Sequence, residues 1–249
     1  MPDGTLVYEL RNVSHRFQGV VALSALNITI RAGERIGLVG PSGAGKSTLI
    51  RLLNGSITPT EGQVIAFGQN MGQVTMRHQR RIQQRIGTVY QQFHLVENLL
   101  VIHNVNAGRL GRWSFARALL SLFWPLEVPA ARHALEQVGI PEKLYERTGT
   151  LSGGQQQRVA IARVLVQNPE VILADEPISS VDPERSREMM NLLRNLTGSS
   201  KTLVVSLHAI EYAFSHLDRI IGLRQGRMLF DAPPTAVTPV MIQELYRIE

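Results

Sequence analysis

Eight residues, Gly40-Pro41-Ser42-Gly43-Ala44-Gly45-Lys46-Ser47, set three glycines, a lysine and a hydroxyl at the spacing of a phosphate-cradling loop. Glycine lets the backbone curl until several amide N–H groups point inward, and a helix beginning just after the loop turns its positive end towards an anion. Lys46 is then placed to neutralise the β and γ phosphates of a nucleotide, and the Ser47 hydroxyl to ligate magnesium. A glycine turn that binds nothing requires neither side chain. A second group, Val171-Ile172-Leu173-Ala174-Asp175-Glu176-Pro177, ends an apolar run in paired carboxylates. Taken alone, such a pair is more often an exposed strand end or a helix cap. Beside a phosphate loop it supplies the missing functions: Asp175 supports a magnesium shell, and Glu176 orients or deprotonates a water that attacks the γ phosphate. The two motifs together predict a phosphate-loop nucleoside triphosphatase.

Such a loop works only between a strand and a helix, and both are predicted, Arg35 to Val39 as strand and Lys46 to Asn54 as helix, stopping at Gly55. Upstream, Leu6 to Val13 and Leu26 to Ile30 read as strands. Downstream come a short strand within Gly62 to Gly68, a basic helix from Arg77 to Arg85 and a strand from Ile86 to Tyr90. Residues 95–150 carry no convincing strand. Helical runs at Leu99 to Ala107, Ser114 to Phe123 and Pro129 to Val138 are broken by Gly108, Gly111, Pro125 and Gly139. The α/β alternation then resumes: helix from Gln155 to Gln167, buried strand from Val171 to Ala174, helix from Glu184 to Leu196 and strand from Thr202 to Ser206. A helix from Ala209 to Phe214 and a hairpin from Ile220 to Phe230, turning at Gln225-Gly226, complete the pattern. The expectation is one domain over 1–249, with an α/β nucleotide-binding core at 1–94 and 151–249 and an inserted helical subdomain at 95–150.

Composition narrows the partners. A chain of 249 residues can bury a core without disulfides, and with no cysteine it is neither a disulfide scaffold nor a thiol enzyme. No cysteine–histidine set accompanies the histidines, which argues against structural zinc. Twenty-six Lys and Arg against twenty Asp and Glu give +6, compatible with nucleotide, phospholipid surface or nucleic acid. The N-terminus lacks the basic stretch and apolar core of a secretory signal. The apolar stretch Ala118 to Leu126 contains Pro125 and has about half the length of a membrane-spanning helix, so contact with a membrane is expected through a surface helix or a partner protein.

A third motif decides the class. Leu151-Ser152-Gly153-Gly154-Gln155-Gln156-Gln157-Arg158 closely resembles the signature of ATP-binding cassette (ABC) ATPases, and its glycine turn leads into a helix end suited to phosphate. The resemblance implies a P-loop NTPase core of ABC ATPase type, with an N-terminal antiparallel β part and an inserted helical subdomain. It also implies that Ser152, Gly153, Gly154 and Gln155 face the phosphate loop of a second ATPase subunit, so that two ATP molecules lie between two cassettes, most simply in a homodimer. Matching the family residue by residue, the nucleotide set is Gly40 to Gly45, Lys46, Ser47 and Thr48, and the magnesium set is Ser47, Asp175 and Gln91. Phe17, in Val13-Ser14-His15-Arg16-Phe17, matches the aromatic that stacks on adenine; burial in a core is its ordinary alternative. Gln91 and Gln92 are equivalent polar loop residues by themselves, and the family register favours Gln91.

His208, after Val204-Val205-Ser206-Leu207, matches the histidine that contacts the γ phosphate and attacking water, and a structural histidine is the alternative. Asp182, in Ser179-Ser180-Val181-Asp182, matches a residue that communicates across the dimer and is also a natural cap before Pro183. Where the family commonly has alanine and leucine, this chain has Ser180 and Val181.

Within the family the chain is similar to importer ATPases of the phosphonate class. The likeness is carried by Leu151 to Arg163, Val171 to Ile178, Arg219 to Arg224 and the insertion from Gly108 to Pro125. It implies uptake of phosphonate, phosphite or a related phosphorus oxyanion, with two membrane-spanning permease subunits, an external solute-binding protein and a peripheral location on the cytoplasmic face of the membrane. Phe115, Leu119, Leu122 and Phe123 of the insertion share a broad helical face, which reads either as core or as a partner ridge. The competing classes are an importer of another small solute and a non-transport cassette acting on nucleic acid or ribosomes. No long coiled-coil insertion, tandem cassette or basic tail favours the latter.

Overall fold

Apolar runs with almost no polar interruption, such as Val171 to Ala174 and Leu203 to Val205, belong to strands covered on both faces. The computed structural model describes residues 4–178, 182–198 and 200–247, without the side chains of Leu122 and Phe123. Ser179, Ser180 and Val181 therefore lie outside the described residues. In chain order, the hairpin β1 (Leu6–Phe17) and β2 (Val20–Arg31) precedes β3 (Arg35–Val39), the glycine-rich loop and α1 (Lys46–Leu53). Then come β4 (Glu61–Ala66), β5 (Gln69–Asn70), α2 (Met76–Gln83) and β6 (Ile86–Val89). Helices α3 (Val101–Asn106), α4 (Phe115–Phe123), α5 (Val128–Gln137) and α6 (Gly153–Gln167) follow. The remainder is β7 (Val171–Asp175), α7 (Pro183–Thr197), β8 (Thr202–Leu207), α8 (Ile210–His216), the hairpin β9 (Arg219–Arg224) and β10 (Arg227–Ala232), and α9 (Pro239–Tyr246).

Two sheets result. The first is antiparallel, in the order β2-β1-β4-β5. The second, β10-β9-β3-β8-β7-β6, is parallel except for the terminal β9–β10 hairpin. Its strands feed two separate cores by alternation: Ile172 and Ala174 of β7 point into the core built with the helices α3, α5, α6 and α7, and Val171 and Leu173 into the core shared with α1 and the first sheet. The functional loops consequently emerge along one edge of this sheet, at the C-terminal ends of β3, β7 and β8.

The first hairpin is longer than predicted. The expected strands Leu6 to Val13 and Leu26 to Ile30 extend to a tight turn at Gln18-Gly19, where both residues have positive φ (47° and 88°), the conformation that matches strand twist. Register shifts after Leu10 and Val13 absorb the irregular stretch that interrupts the alternation. Helix α9 has no counterpart among the predicted elements; Thr238 caps it by accepting from the Met241 N–H, with Pro239 in its first turn.

Arg219 ties the sheets together. Its guanidinium donates to both Asp231 oxygens at 2.6 Å, to the Thr29 carbonyl at 2.8 Å and to Glu34 Oε2 at 3.1 Å. Truncation would strand two partly buried carboxylates. R219A is expected to lower unfolding stability by about 1–2 kcal/mol, less than for a fully buried pair because the site keeps contact with water, read as a reduced denaturant midpoint at unchanged slope.

Candidate functional site

The loop after β3 reverses on glycine. Gly40 adopts φ 148°, Gly43 77° and Gly45 103°. At Gly45 a side chain would also meet the Ala22 carbonyl oxygen at 2.7 Å, so glycine is required there both for conformation and for close approach of β2. The loop is pinned from outside by the β9–β10 turn, where the Gly226 N–H donates to the Ala44 carbonyl at 3.1 Å. Helix α1 then starts at Lys46 with no side-chain cap, leaving its first N–H groups aimed at the loop interior.

Lys46 is buried, and its Nζ donates to the carbonyls of Gly40 at 2.7 Å and Pro41 at 3.1 Å. Glu176 Oε1 stands 4.0 Å from the same nitrogen. Burial pulls the Lys46 ammonium below the ordinary lysine range, opposed by the nearby charges of Glu176 and then Asp175.

The ends of β7 and β8 complete the cluster. Asp175 Oδ1 accepts from the Ser206 hydroxyl at 2.7 Å and from the Ser47 hydroxyl at 3.1 Å. Ser206 Oγ in turn accepts the Glu176 N–H at 2.8 Å. Glu176 itself sits at φ 49°, in the left-handed region that costs a side-chain-bearing residue energy and recurs at functional sites. That turn carries its carboxylate to His208, whose Nε2 lies 2.8 Å from Glu176 Oε1. The His208 carbonyl accepts from the Tyr246 hydroxyl at 3.0 Å, so α9 holds the end of the β8 turn.

Lys46 and Ser47, Asp175 and Glu176, and His208, from three segments distant in sequence, thus form one connected group of charged and polar atoms. The other predicted residues stand elsewhere. Phe17 is 41% exposed, in a T-shaped contact with the His15 ring at 4.4 Å, so the core alternative for this aromatic fails. Gln91 is exposed after β6, and among the described residues no hydrogen bond joins it to Ser47 or Asp175.

Ser152 caps α6 by accepting the Gln155 N–H at 3.4 Å, while Gln155 Oε1 accepts the Ser152 N–H at 3.0 Å. These residues, with Gly153, Gly154 and Asp182, line a second cleft of about 540 Å³ apart from the loop cluster. Asp182 caps α7, accepting the Arg185 N–H at 3.0 Å.

Three participants had no assigned role in the sequence reading: Ser206, Tyr246 and Gln157, whose buried amide donates to the Pro177 carbonyl just after Glu176. The available signal was polarity out of place, a serine inside Val204-Val205-Ser206-Leu207 and a glutamine inside an otherwise apolar helical face.

A family model described as ABC transporter matches residues 23–179 of this chain. The chain belongs to the ABC transporter family. It is 44% identical to a phosphonates import ATP-binding protein PhnC of Pseudomonas fluorescens, over 94% of this chain and 89% of that protein. It is 49% identical to a PhnC of Anaeromyxobacter dehalogenans over 95% of this chain, yet spans only 47% of that relative's length. Among solved structures, a dimeric post-hydrolysis state of an ATP-binding cassette bound to ADP and Pi superposes with a TM-score of 0.79 at 31% identity, covering 91% of this chain and 98% of that one.

The present cassette accordingly binds ATP and is an ATPase coupled to transport. Among its described residues no helix is long and apolar enough to cross a membrane.

Ser206 offers a direct test of how the cassette's loop ends are held. In S206A the Glu176 N–H loses its acceptor and Asp175 loses a donor, so stability should fall by about 1–2 kcal/mol in denaturant titrations. The effect should be larger than for alanine at Ser215, whose hydroxyl bonds only to carbonyls and a ring nitrogen on and beside its own helix.

Proposed function

We propose that this cassette powers import of a phosphonate, phosphite or related phosphorus oxyanion, and that it cleaves ATP at the Lys46–Ser47–Asp175–Glu176–His208 cluster. The observation that carries the catalytic part is the 2.8 Å contact between His208 Nε2 and Glu176 Oε1, beside a buried lysine and a hydroxyl–carboxylate pair. The cargo part rests on relatives that are named phosphonates import ATP-binding proteins in several organisms.

In this reading the loop amides and Lys46 stabilise charge on the transferred phosphoryl group. Glu176 accepts a proton from water as the water oxygen attacks the γ phosphorus and the bond to the β-phosphate oxygen breaks, giving ADP and phosphate. His208 holds the Glu176 carboxylate through Nε2, and the same N–H is the donor that the family register gives to the γ phosphate once nucleotide is bound. Ser47 and Asp175 are hard oxygen donors brought within 3.1 Å of each other, a set that fits magnesium, with Gln91 as a further oxygen donor in the family register. Bound there with the nucleotide, magnesium would neutralise phosphate charge. Gly40 to Gly45 and Thr48 complete the phosphate cradle, and the partly exposed ring of Phe17 is offered to adenine.

Ser152, Gly153, Gly154, Gln155 and Asp182 serve the nucleotide of a second, identical subunit, a reading supported by their cleft lying apart from this chain's own loop cluster and by the dimeric neighbour. Residues 1–94 and 151–249 act as the nucleotide-binding core. The helical insertion at 95–150 and Gln91 meet two permease subunits at the cytoplasmic face of the membrane, and an external solute-binding protein delivers cargo.

E176Q should retain ATP binding while steady-state phosphate release falls by at least about a hundredfold; turnover near that of the unsubstituted protein would remove Glu176 from the role of base. The cargo is read separately, by reconstituting the cassette with permease subunits and a solute-binding protein and measuring ATP-dependent uptake. Phosphonate or phosphite should accumulate while unrelated solutes do not, and accumulation of another solute instead would replace this cargo class.

A further inference from the structure

Strands β3 and β8 stay in register as far as the pair Val39 and Leu207, and the next residue of each leaves the ladder: Gly40 opens the phosphate loop, and His208 turns towards Glu176. The reach of His208 Nε2 to Glu176 therefore depends on how a peptide just outside the sheet is oriented. Packing does little to set it, because the imidazole is nearly half exposed, and its partner Glu176 stands on a strained turn of its own. The His208 carbonyl, however, is held. Tyr246, the last residue of α9, donates its hydroxyl to that oxygen at 3.0 Å.

What precedes Tyr246 makes it a firm anchor. Leu245 is fully buried in the core that also takes Leu207 of β8, and Met241 and Tyr246 pack against the same core. The Arg224 guanidinium at the end of β9 donates to the Glu244 carbonyl at 2.6 Å, fastening the last turn of α9 to the sheet. The helix is thus tied at its start by the Thr238 cap and at its end by an apolar and a polar contact.

The other side of the phenolic oxygen faces the phosphate loop. Burial, and then the charge of Glu211, push the Tyr246 phenol above its ordinary range, while the Gly40 N–H pulls it the other way. The group stays a neutral hydroxyl, with its proton for the His208 carbonyl and a lone pair towards Gly40. Gly40 is a fixed reference. A side chain there would stand 2.0 Å from the Leu223 carbonyl oxygen, so its backbone is pressed against β9, and its own carbonyl accepts from Lys46 Nζ at 2.7 Å. One side chain therefore stands where β3 and β8 separate, between the residue that opens the phosphate loop and the histidine that meets Glu176.

We propose that Tyr246 is a positioning residue for ATP hydrolysis, whose hydroxyl fixes the His208 peptide relative to the phosphate loop and thereby fixes the imidazole against Glu176. It touches neither substrate nor reacting atoms and acts only through His208, so this role rests on the one given to His208 in ATP cleavage. Losing one neutral hydrogen bond of this kind from the transition state corresponds to a rate change of about fivefold to tenfold.

Y246F keeps the ring on the core and removes only the donor. In single-turnover hydrolysis by the full chain its rate constant should fall about fivefold to tenfold, while ATP affinity and circular dichroism stay unchanged. The deciding measurement is the double-mutant cycle with H208A: Y246F/H208A should hydrolyse ATP at the H208A rate, because the hydroxyl then has no imidazole to place. The imidazole NMR signal of His208, identified by its loss in H208A, should also move in Y246F, while those of His78 and His133 stay. An unchanged rate in Y246F or an unmoved His208 signal would overturn the proposal. So would the same loss repeated on the H208A background, which would make Tyr246 a general support of the fold, or weakened ATP binding at an unchanged rate, which would assign it to the nucleotide. Hydrolysis by H208A at the unsubstituted rate would instead remove His208 from the hydrolytic cluster and this role with it, whereas a slow H208A beside a normal Y246F overturns the role of Tyr246 alone.

Discussion

One carboxylate oxygen organises the centre of this molecule. Asp175 Oδ1 receives hydroxyls from Ser47 at the start of α1 and from Ser206 near the end of β8, and Ser206 passes the connection on to the Glu176 N–H. Three segments that are far apart in the chain are thereby held at fixed distances where their strands end. Each of these bonds satisfies a group that would otherwise be costly at the edge of a tightly filled sheet. With that junction in place, Glu176 can occupy its left-handed turn and still present its carboxylate to His208 and Lys46.

The sheet behind the junction explains why it is stiff enough to serve chemistry. Each central strand is filled on both faces, so a shift of one strand by a single residue would drive every side chain into the wrong core. The loops at the strand ends inherit that register. Outer elements then lock them: Gly226 bonds the phosphate loop from one side, Tyr246 of α9 holds the His208 carbonyl, and Gln157 of α6 holds the Pro177 carbonyl. Through Gln157 the helix that opens with Ser152–Gln155 is in direct contact with the turn that carries Glu176. The signature cleft and the loop cluster are thus separate sites on one mechanically continuous body.

Charge is distributed with the same economy of place. Arg219 is balanced by Asp231 and Glu34, whereas Arg77, Arg80, Arg81 and Arg112, on α2 and the approach to α4, are exposed and make no ion pair among the described residues. The apolar outer side of α4 lies next to them rather than against the core, an arrangement that a chain standing alone in water gains nothing from.

Much of this was legible beforehand. The spacing of Gly40 to Ser47, the acidic end of the Val171 to Glu176 run and the glycines of Leu151 to Arg158 specify local geometry by themselves, since backbone conformation, helix capping and strand burial depend on near neighbours. The strands and helices that flank them followed from the same short-range rules, with errors at the first hairpin and at α9, where bulges and a terminal cap weaken the periodic signal. Other features were invisible in one dimension. That Ser206 bridges Asp175 and Glu176, that Phe17 stays partly exposed, that Tyr246 reaches His208, and that Phe115 and Leu119 face outward all depend on which surfaces meet across long sequence separations. A run of residues encodes what its own backbone can do; only the closed fold decides which side chains find partners and which are left to find them elsewhere.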